Sequence, residues 1–491
     1  LSSPARTTGL GRWALLAICA CVLVAQSVVA AVNLMIPQLA ASALHPSPSQ
    51  LLWTVDAYVI AFAGLLIPAG ALGDRLGRRR ALLAGLALFA LGSAVAALAG
   101  TPGILITGRA LSGAGAALIM PATMSILVHL AGPEGRIRAL ASWTLSLGLG
   151  GLLGNLGGGL VAQYLPWQAL FGLMPPLAAL LALAVLRTVP VVPTHPSAPD
   201  PIGSALLIGG VTAILYGIIE GPGHGWASPQ VLGAFAAGAL LLAAFTAYGL
   251  RAARPLVDPR LLRSRRLRAG LLGSAASFFG LFGLFYVNSQ FLQYVKGYSA
   301  ALTGFAIGPL AIGMVLVPRV AVRLQVRYGP RPLAGGGLAL IAAGLLCVST
   351  AGPATPYPLY AGWLLLLSIG FGLSAPALAN AVVSELPPQQ AGLGAGLNTA
   401  ARELGAALGV ATVGTVLAVR FAGRPSEVIP AAARLGAERH AAVLAEFGDA
   451  TSLGLRVLGL LVLLAAAAVT AGLRPEPTAV VARAAHVRSS G

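Results

Sequence analysis

Asp56, Arg109 and Glu403 are charged side chains set inside long apolar runs, and Glu220 stands near the end of another. A charge in hydrocarbon costs at least about 2.5–3.5 kcal/mol, so each needs a partner or a function. Burial disfavours the ionised form of a carboxyl, which suits a group that must load and release a proton near neutral pH. Glu403 falls about ten residues into its run, roughly 15 Å along a helix and close to a bilayer midplane. The alternative there is an ion pair with Arg109 or another arginine. Asp56 and Arg109 lie about 6 and 9 Å into their runs, level enough to pair if the helix faces agree. A static salt bridge and a proton-handling site both fit that spacing.

Three further patterns bear on mechanism. The stretch GALGDRLGRRR, residues 70–80, places Gly70, Asp74, Arg75, Gly77 and Arg78 in a short charged turn between two apolar runs. Its glycines permit a tight turn, and its arginines can pair with Asp74 or face anionic lipid. Gly150, Gly154 and Gly158 recur at i, i+4 and i+8, a small-residue face that lets a second helix come close. Asn33, Asn288, Gln290 and Asn398 are polar groups in or beside apolar runs, where such groups bridge helices or line a cavity. FFGLFGLFY, 278–286, adds an aromatic surface suited to flat apolar ligands or to helix packing.

The elements that must position these residues are membrane-spanning helices. The chain is 57% hydrophobic and only 9% charged, with mean hydropathy +0.87, against about 25% charged in soluble domains. Apolar windows fall at 14–38, 52–72, 81–100, 103–127, 138–162, 168–187, 203–220, 230–250, 269–292, 300–322, 332–351, 357–382, 393–419 and 453–473. Each can cross about 30 Å of hydrocarbon, giving an all-α polytopic protein of fourteen transmembrane helices. The apolar stretch after Trp13 is too long for a signal-peptide core and reads as a retained first span. The longest outer connection, 420–452, reads as a surface helix or a loop.

The net charge of +18 does not mark a nucleic-acid binder. With the N-terminus inside, 23 of the 31 basic residues fall in inner segments and 5 in outer ones. That bias places both termini in the cytoplasm of a multi-pass protein of the cell inner membrane. Cys19, Cys21 and Cys347 lie in apolar runs without metal or disulfide spacing, so no metal or cofactor is expected. No Walker Gly-rich phosphate loop occurs and Lys296 is the only lysine, which excludes ATP-driven transport by this chain. No His-Glu-x-x-His or Ser/His/Asp set stands in a suitable context, so an enzyme is not expected.

The 70–80 stretch resembles the signature of the major facilitator superfamily, Gly70, Leu72, Asp74, Arg75, Gly77, Arg78 and Arg79 matching and Gly73 standing where alanine is frequent. LLWTVDAYVIAFAGLLIPAG, GRALSGAGAALIMPA, DPIGSALL, IIEGPGHGW, ARPLVDPRLLRSRR, QFLQYVKGYSAALTGF and GLNTAARELGAALGVATVGTVL resemble its fourteen-span drug:proton antiporter branch, over roughly 15–473. The resemblance implies two pseudo-symmetric six-helix bundles, 14–187 and 269–473, separated by two extra central helices, 203–250. Segments 1–13 and 474–491 would be cytoplasmic. It further implies a central cavity with alternating access, a conformational latch at 70–80, and roles in proton or cation handling for Asp56 and Arg109.

The sequence departs from the family pattern at several points. Val28 occupies the first-span acid position, nine residues before Pro37 of NLMIP. Asn155 replaces the proline of the fifth-span motif, Ala300 another proline, and Val326 the aspartate of the second-half latch. Without the acid at 28, neutral or weakly charged amphiphiles are better expected cargo than polyvalent cations. The reading is a proton-coupled exporter of amphiphilic small molecules, with Asp56 or Glu403 alternating between proton and cargo. Export of one endogenous metabolite or self-made antibiotic is one alternative, and an uncoupled sensor or scaffold another. Its partners are a small-molecule substrate, protons and the lipid bilayer, and a monomer is compatible with them.

Overall fold

Helix starts in this chain are written in its side chains. Thr101, Asp200, Ser228, Ser264 and Ser299 each cap a helix by accepting from a backbone N–H three residues on, and proline follows directly after the first three. The computed structural model describes residues 11–40, 42–46, 48–191, 200–252, 255, 257–386, 391–421, 428–429 and 436–473. In order these form α1 (Arg12–Ala40), α2 (Pro48–Leu76), α3 (Arg78–Ala97), α4 (Pro102–Tyr164), α5 (Gln168–Gly172), α6 (Met174–Thr188), α7 (Pro201–His224) and α8 (Pro229–Arg251). Then come α9 (Arg265–Gln290), α10 (Ala300–Ala306), α11 (Gly308–Tyr328), α12 (Pro330–Val348), α13 (Tyr357–Val383), α14 (Ala391–Arg420) and α15 (Ala437–Gly472). Among the described residues 13 helices are long and apolar enough to cross a membrane, close to the fourteen expected, and α2 holds a shorter apolar segment, Trp53–Leu66.

The helical run α4 covers two spans. A straight helix would hold Thr123 and Trp143 about 30 Å apart, yet the Trp143 indole N–H donates to the Thr123 hydroxyl at 3.2 Å. The run therefore doubles back, giving the two spans expected over 103–127 and 138–162. Gly77 (φ 97) makes the turn between α2 and α3, and Gly329 (φ 78) makes the corresponding one between α11 and α12. Both conformations are strained for any residue with a Cβ.

The pairing of helices repeats. In the first half, α1 lies on the second limb of α4, while α2 and α3 lie on the first limb. In the second half, α9 lies on α14, and α11 and α12 lie on α13. One buried apolar cluster runs from Ala14 to Val189 and another from Ala269 to Leu473, a core for each bundle.

The structure corrects one expectation. The segment 437–452 is neither a detached surface helix nor a loop, because α15 is continuous from Ala437 to Gly472. Val443, Phe447 and Ala450 recur at helical spacing and are buried in the second core, while Glu438, Glu446 and Asp449 stay exposed. The two halves meet directly: α2 touches α14, and α7 lies along both. A third apolar cluster marks this seam, with Ile60 and Ala63 of α2 and Leu207, Val211 and Leu215 of α7 against Leu397, Ala400, Leu404 and Ala407 of α14.

Candidate functional site

Arg109 is placed by a glycine one turn further along α4. A Cβ on Gly113 would lie 2.9 Å from the Tyr58 Cα, so α2 and α4 are in backbone contact there. One turn back on both helices, Arg109 meets Thr54: its Nε donates to the Thr54 carbonyl at 2.9 Å. The guanidinium carbon stands 4.5 Å from the Tyr58 ring centroid and 5.8 Å from that of Phe171. Only 1% of the residue is exposed, and one terminal nitrogen (Nη1) has no hydrogen-bond partner among the described residues. A guanidinium desolvated against aromatic faces gains about 2 kcal/mol from them.

Asp56 lies between Thr54 and Tyr58 on α2, half-buried. It shares the electrostatic field of Arg109, yet no ion pair joins the two among the described residues. Its other charged neighbour is Glu220 of α7. Across the seam, Glu403 of α14 acts electrostatically on Tyr58 and on its own neighbour Arg402. The Arg402 guanidinium carbon stands 4.0 Å from the centre of the Phe278 ring. Tyr58 is in ring contact with Arg109, and its hydroxyl donates to the Ala25 carbonyl at 3.1 Å, tying in α1. Each bundle thus carries one carboxyl and one guanidinium at this level, Asp56 with Arg109 and Glu403 with Arg402.

The glycine face on α4 rests on α1. A Cβ on Gly150 would lie 2.7 Å from the Leu23 carbonyl oxygen, one on Gly158 2.7 Å from the Ala31 Cα, and Gly154 abuts the Ser27 backbone. Gly405 and Gly409 of α14 meet the backbones of Ala275 and Phe279 of α9 in the same parallel register. At the α2–α3 turn Gly70 lies beside Pro121, and Arg75 is exposed. Arg78 donates to the Ser125 carbonyl at 3.3 Å and Arg79 to the Leu186 carbonyl at 2.5 Å. The side chain of Asp74 lies outside the described residues.

The four polar candidates do not converge. Asn33 is exposed on α1, and Gln290 donates within its own helix to the Tyr286 carbonyl at 2.8 Å. Asn398 accepts from the Ser274 hydroxyl at 2.6 Å, joining α14 to α9. Asn288 turns into the second bundle, where its Oδ1 accepts from the Tyr360 hydroxyl at 2.5 Å. It faces a cavity of about 10 Å³ shared with Tyr360 and Thr451, at the lower limit for one water. The size of that cavity and its enclosure within one bundle make it no place for a drug-sized molecule.

Trp53, Tyr58 and Arg402 join the site without being singled out by sequence. Aromatic residues on α2 are indistinguishable there from packing residues. The adjacent charges Arg402–Glu403 in an apolar run are the available signal for the second bundle. A π-helical turn, Phe291–Val295, wider than an α-helical one, also ends α9 directly after Gln290.

A family model described as Major Facilitator Superfamily matches residues 18–410. The chain is 34% identical over 383 residues to the tetracenomycin C resistance and export protein of Streptomyces glaucescens, covering 77% of this chain and 70% of that protein. It is 35% identical over 393 residues to the cephamycin export protein CmcT of Amycolatopsis lactamdurans, covering 78% and 80%. It is 32% identical over 382 residues to the multidrug efflux pump LfrA of Mycolicibacterium smegmatis, covering 77% and 75%. Among solved structures, the inward-facing, occupied form of a bacterial homologue of the human lysosomal transporter Spinster superposes with TM-score 0.65 at 15% identity, covering 94% of this chain and 98% of that one.

Proposed function

The chain belongs to the major facilitator superfamily, and from that membership we propose that it exports amphiphilic small molecules in exchange for protons by alternating access. The observation that carries the reading is the group of half-buried Asp56 and Glu403 with buried Arg109 and Tyr58, carried by helices α2, α4 and α14 that meet at the seam between the two bundles. A carboxyl on each side of a moving interface can be charged in one arrangement and neutral in the other. Inward movement of one proton through about 100 mV supplies roughly 2.3 kcal/mol, enough to bias such a cycle. The named export and efflux functions of the relatives support the direction of transport and the class of cargo.

In this proposal the bundles 14–187 and 269–473 rock about the α2–α14 seam. The cell membrane holds the protein with both termini cytoplasmic, and Gly70, Asp74, Arg75, Gly77 and Arg78 latch one conformation from that side. Cargo is neutral or weakly charged and meets Asn33 and Gln290, while Asn288 and Asn398 hold helices together. Relatives named for single antibiotics favour a second reading, export of one compound only.

The test is efflux of neutral, cationic and anionic dyes from energised cells, and uptake into everted vesicles under an imposed pH gradient. Asp56→Asn and Glu403→Gln are each expected to abolish gradient-driven movement while leaving dye-for-dye exchange. Efflux indifferent to a protonophore and to both substitutions would refute coupling. A response to a single dye class would favour the narrow reading.

A further inference from the structure

Glu220 is a buried carboxylate on α7, one of the two helices that lie outside the six-helix bundles. Its two oxygens are both engaged. Oε1 accepts from the Trp53 indole N–H of α2 at 2.6 Å, and Oε2 lies 2.7 Å from Nδ1 of His224, one turn along its own helix. The carboxylate side chain is 8% exposed, whereas that of His224 is 46% exposed. A Trp indole donor to a carboxylate is a charge-assisted bond, stronger and more directional than one between neutral groups.

The position of Trp53 gives this bond its reach. Trp53 precedes Thr54, whose carbonyl receives Arg109, and stands one helical turn before Asp56. The opening turns of α2 are therefore held from two sides, by Arg109 of α4 and by Glu220 of α7. A further ring contact reinforces the second hold, with Trp53 and Tyr216 of α7 at 5.7 Å between centroids. The same end of α7 is tied to the other bundle, because the Trp226 indole donates to the Thr415 hydroxyl of α14 at 2.9 Å.

We infer that Glu220 is a positioning residue of the coupling site, fixing through Trp53 the turn of α2 that carries Asp56. The extra helix is then a working part of the proton-handling machinery, not packing added around it. This deepens the proton-coupling proposal and rests on it. The charged and titratable groups facing Glu220 are Asp56 from α2, Arg109 from α4 behind it, and His224 on α7. α14 contributes Arg402 and Glu403 beyond Tyr58, and Tyr248 of α8 is engaged with Asp200 at the far end of α7.

The test uses the full chain in proteoliposomes, with Nile red and ethidium as probes. Gradient-driven movement and dye-for-dye exchange are measured side by side. Glu220→Gln keeps an oxygen that can accept from Trp53 but removes the charge that strengthens the bond, and is expected to lower gradient-driven movement about tenfold. Exchange should stay within about twofold and Glu220→Asp should restore part of the loss. Trp53→Phe, which removes the donor and keeps an aromatic ring, should repeat the Glu220→Gln loss, and it keeps the inference testable if Glu220→Gln fails to insert. The inference is overturned if these variants keep wild-type gradient-driven movement, or if movement and exchange fall together without rescue. A wild-type protein that ignores the gradient with both probes would instead overturn the coupling proposal beneath it.

Discussion

Arg109 reaches the carbonyl of Thr54 with its Nε at 2.9 Å and, among the described residues, makes no ion pair with the carboxylate of Asp56 two positions further along α2. The cation is held by backbone and by ring faces. In the proposed cycle no bridge to Arg109 would have to break for Asp56 to take up a proton.

Arg109→Lys should therefore fail although charge is conserved. A lysine has neither the planar face that stacks on Tyr58 nor the fixed Nε donor. Dye efflux is expected to drop by at least about tenfold, corresponding to the loss of roughly 1.4 kcal/mol or more from a desolvated stacked contact. Parallel measurement of protein in the membrane separates this from misfolding. Efflux equal to wild type in Arg109→Lys would contradict the stacking argument.

Two glycines near each other on α4 should respond oppositely to alanine. Gly154 abuts the Ser27 backbone, whereas a Cβ on Gly151 meets nothing within 4 Å. Gly154→Ala overpacks the α1 contact and should cost about 1–3 kcal/mol, seen as a lower melting temperature in detergent. Gly151→Ala should change it little and gains helix propensity, about 1 kcal/mol at most. Equal melting temperatures for the two variants would refute the close contact.

Lys296 is the only lysine, and it donates from just beyond the end of α9 to the Pro353 carbonyl at 3.0 Å and to the Thr355 carbonyl. Partial burial lowers its pKa below the ordinary lysine value. The sign favours the neutral, nucleophilic amine at lower pH than for a free lysine side chain. A membrane-impermeant amine reagent should label it in intact cells, with a reactivity midpoint below that of free lysine. Labelling confined to everted vesicles would reverse the proposed orientation.

Much of this protein is legible in its sequence because membrane spans are long and their breakers are strong. Apolar length, capping Ser, Thr and Asp residues, and the glycine at 77 locate the spans and the turn. The continuation of α15 back to Ala437 is hidden because its exposed face is as charged as a loop, and only the spacing of Val443, Phe447 and Ala450 discloses it. At the site, Asp56, Arg109 and Glu403 stand out by the cost of charge in hydrocarbon. Their partners do not, since a backbone carbonyl at Thr54 or a ring at Tyr58 carries no distinguishing mark in a string of residues. The placement of α7 on the seam is a tertiary fact that no local pattern encodes.

The glycine contacts of α4 on α1 and of α14 on α9 have a mechanical consequence. Where backbone lies on backbone, no layer of side chains is left to compress or shear, so each bundle behaves as a stiff lever. In the proposed cycle, strain from a single protonation would be carried along its whole length and released at the apolar seam of Ile60, Ala63, Leu404 and Ala407, where side chain meets side chain.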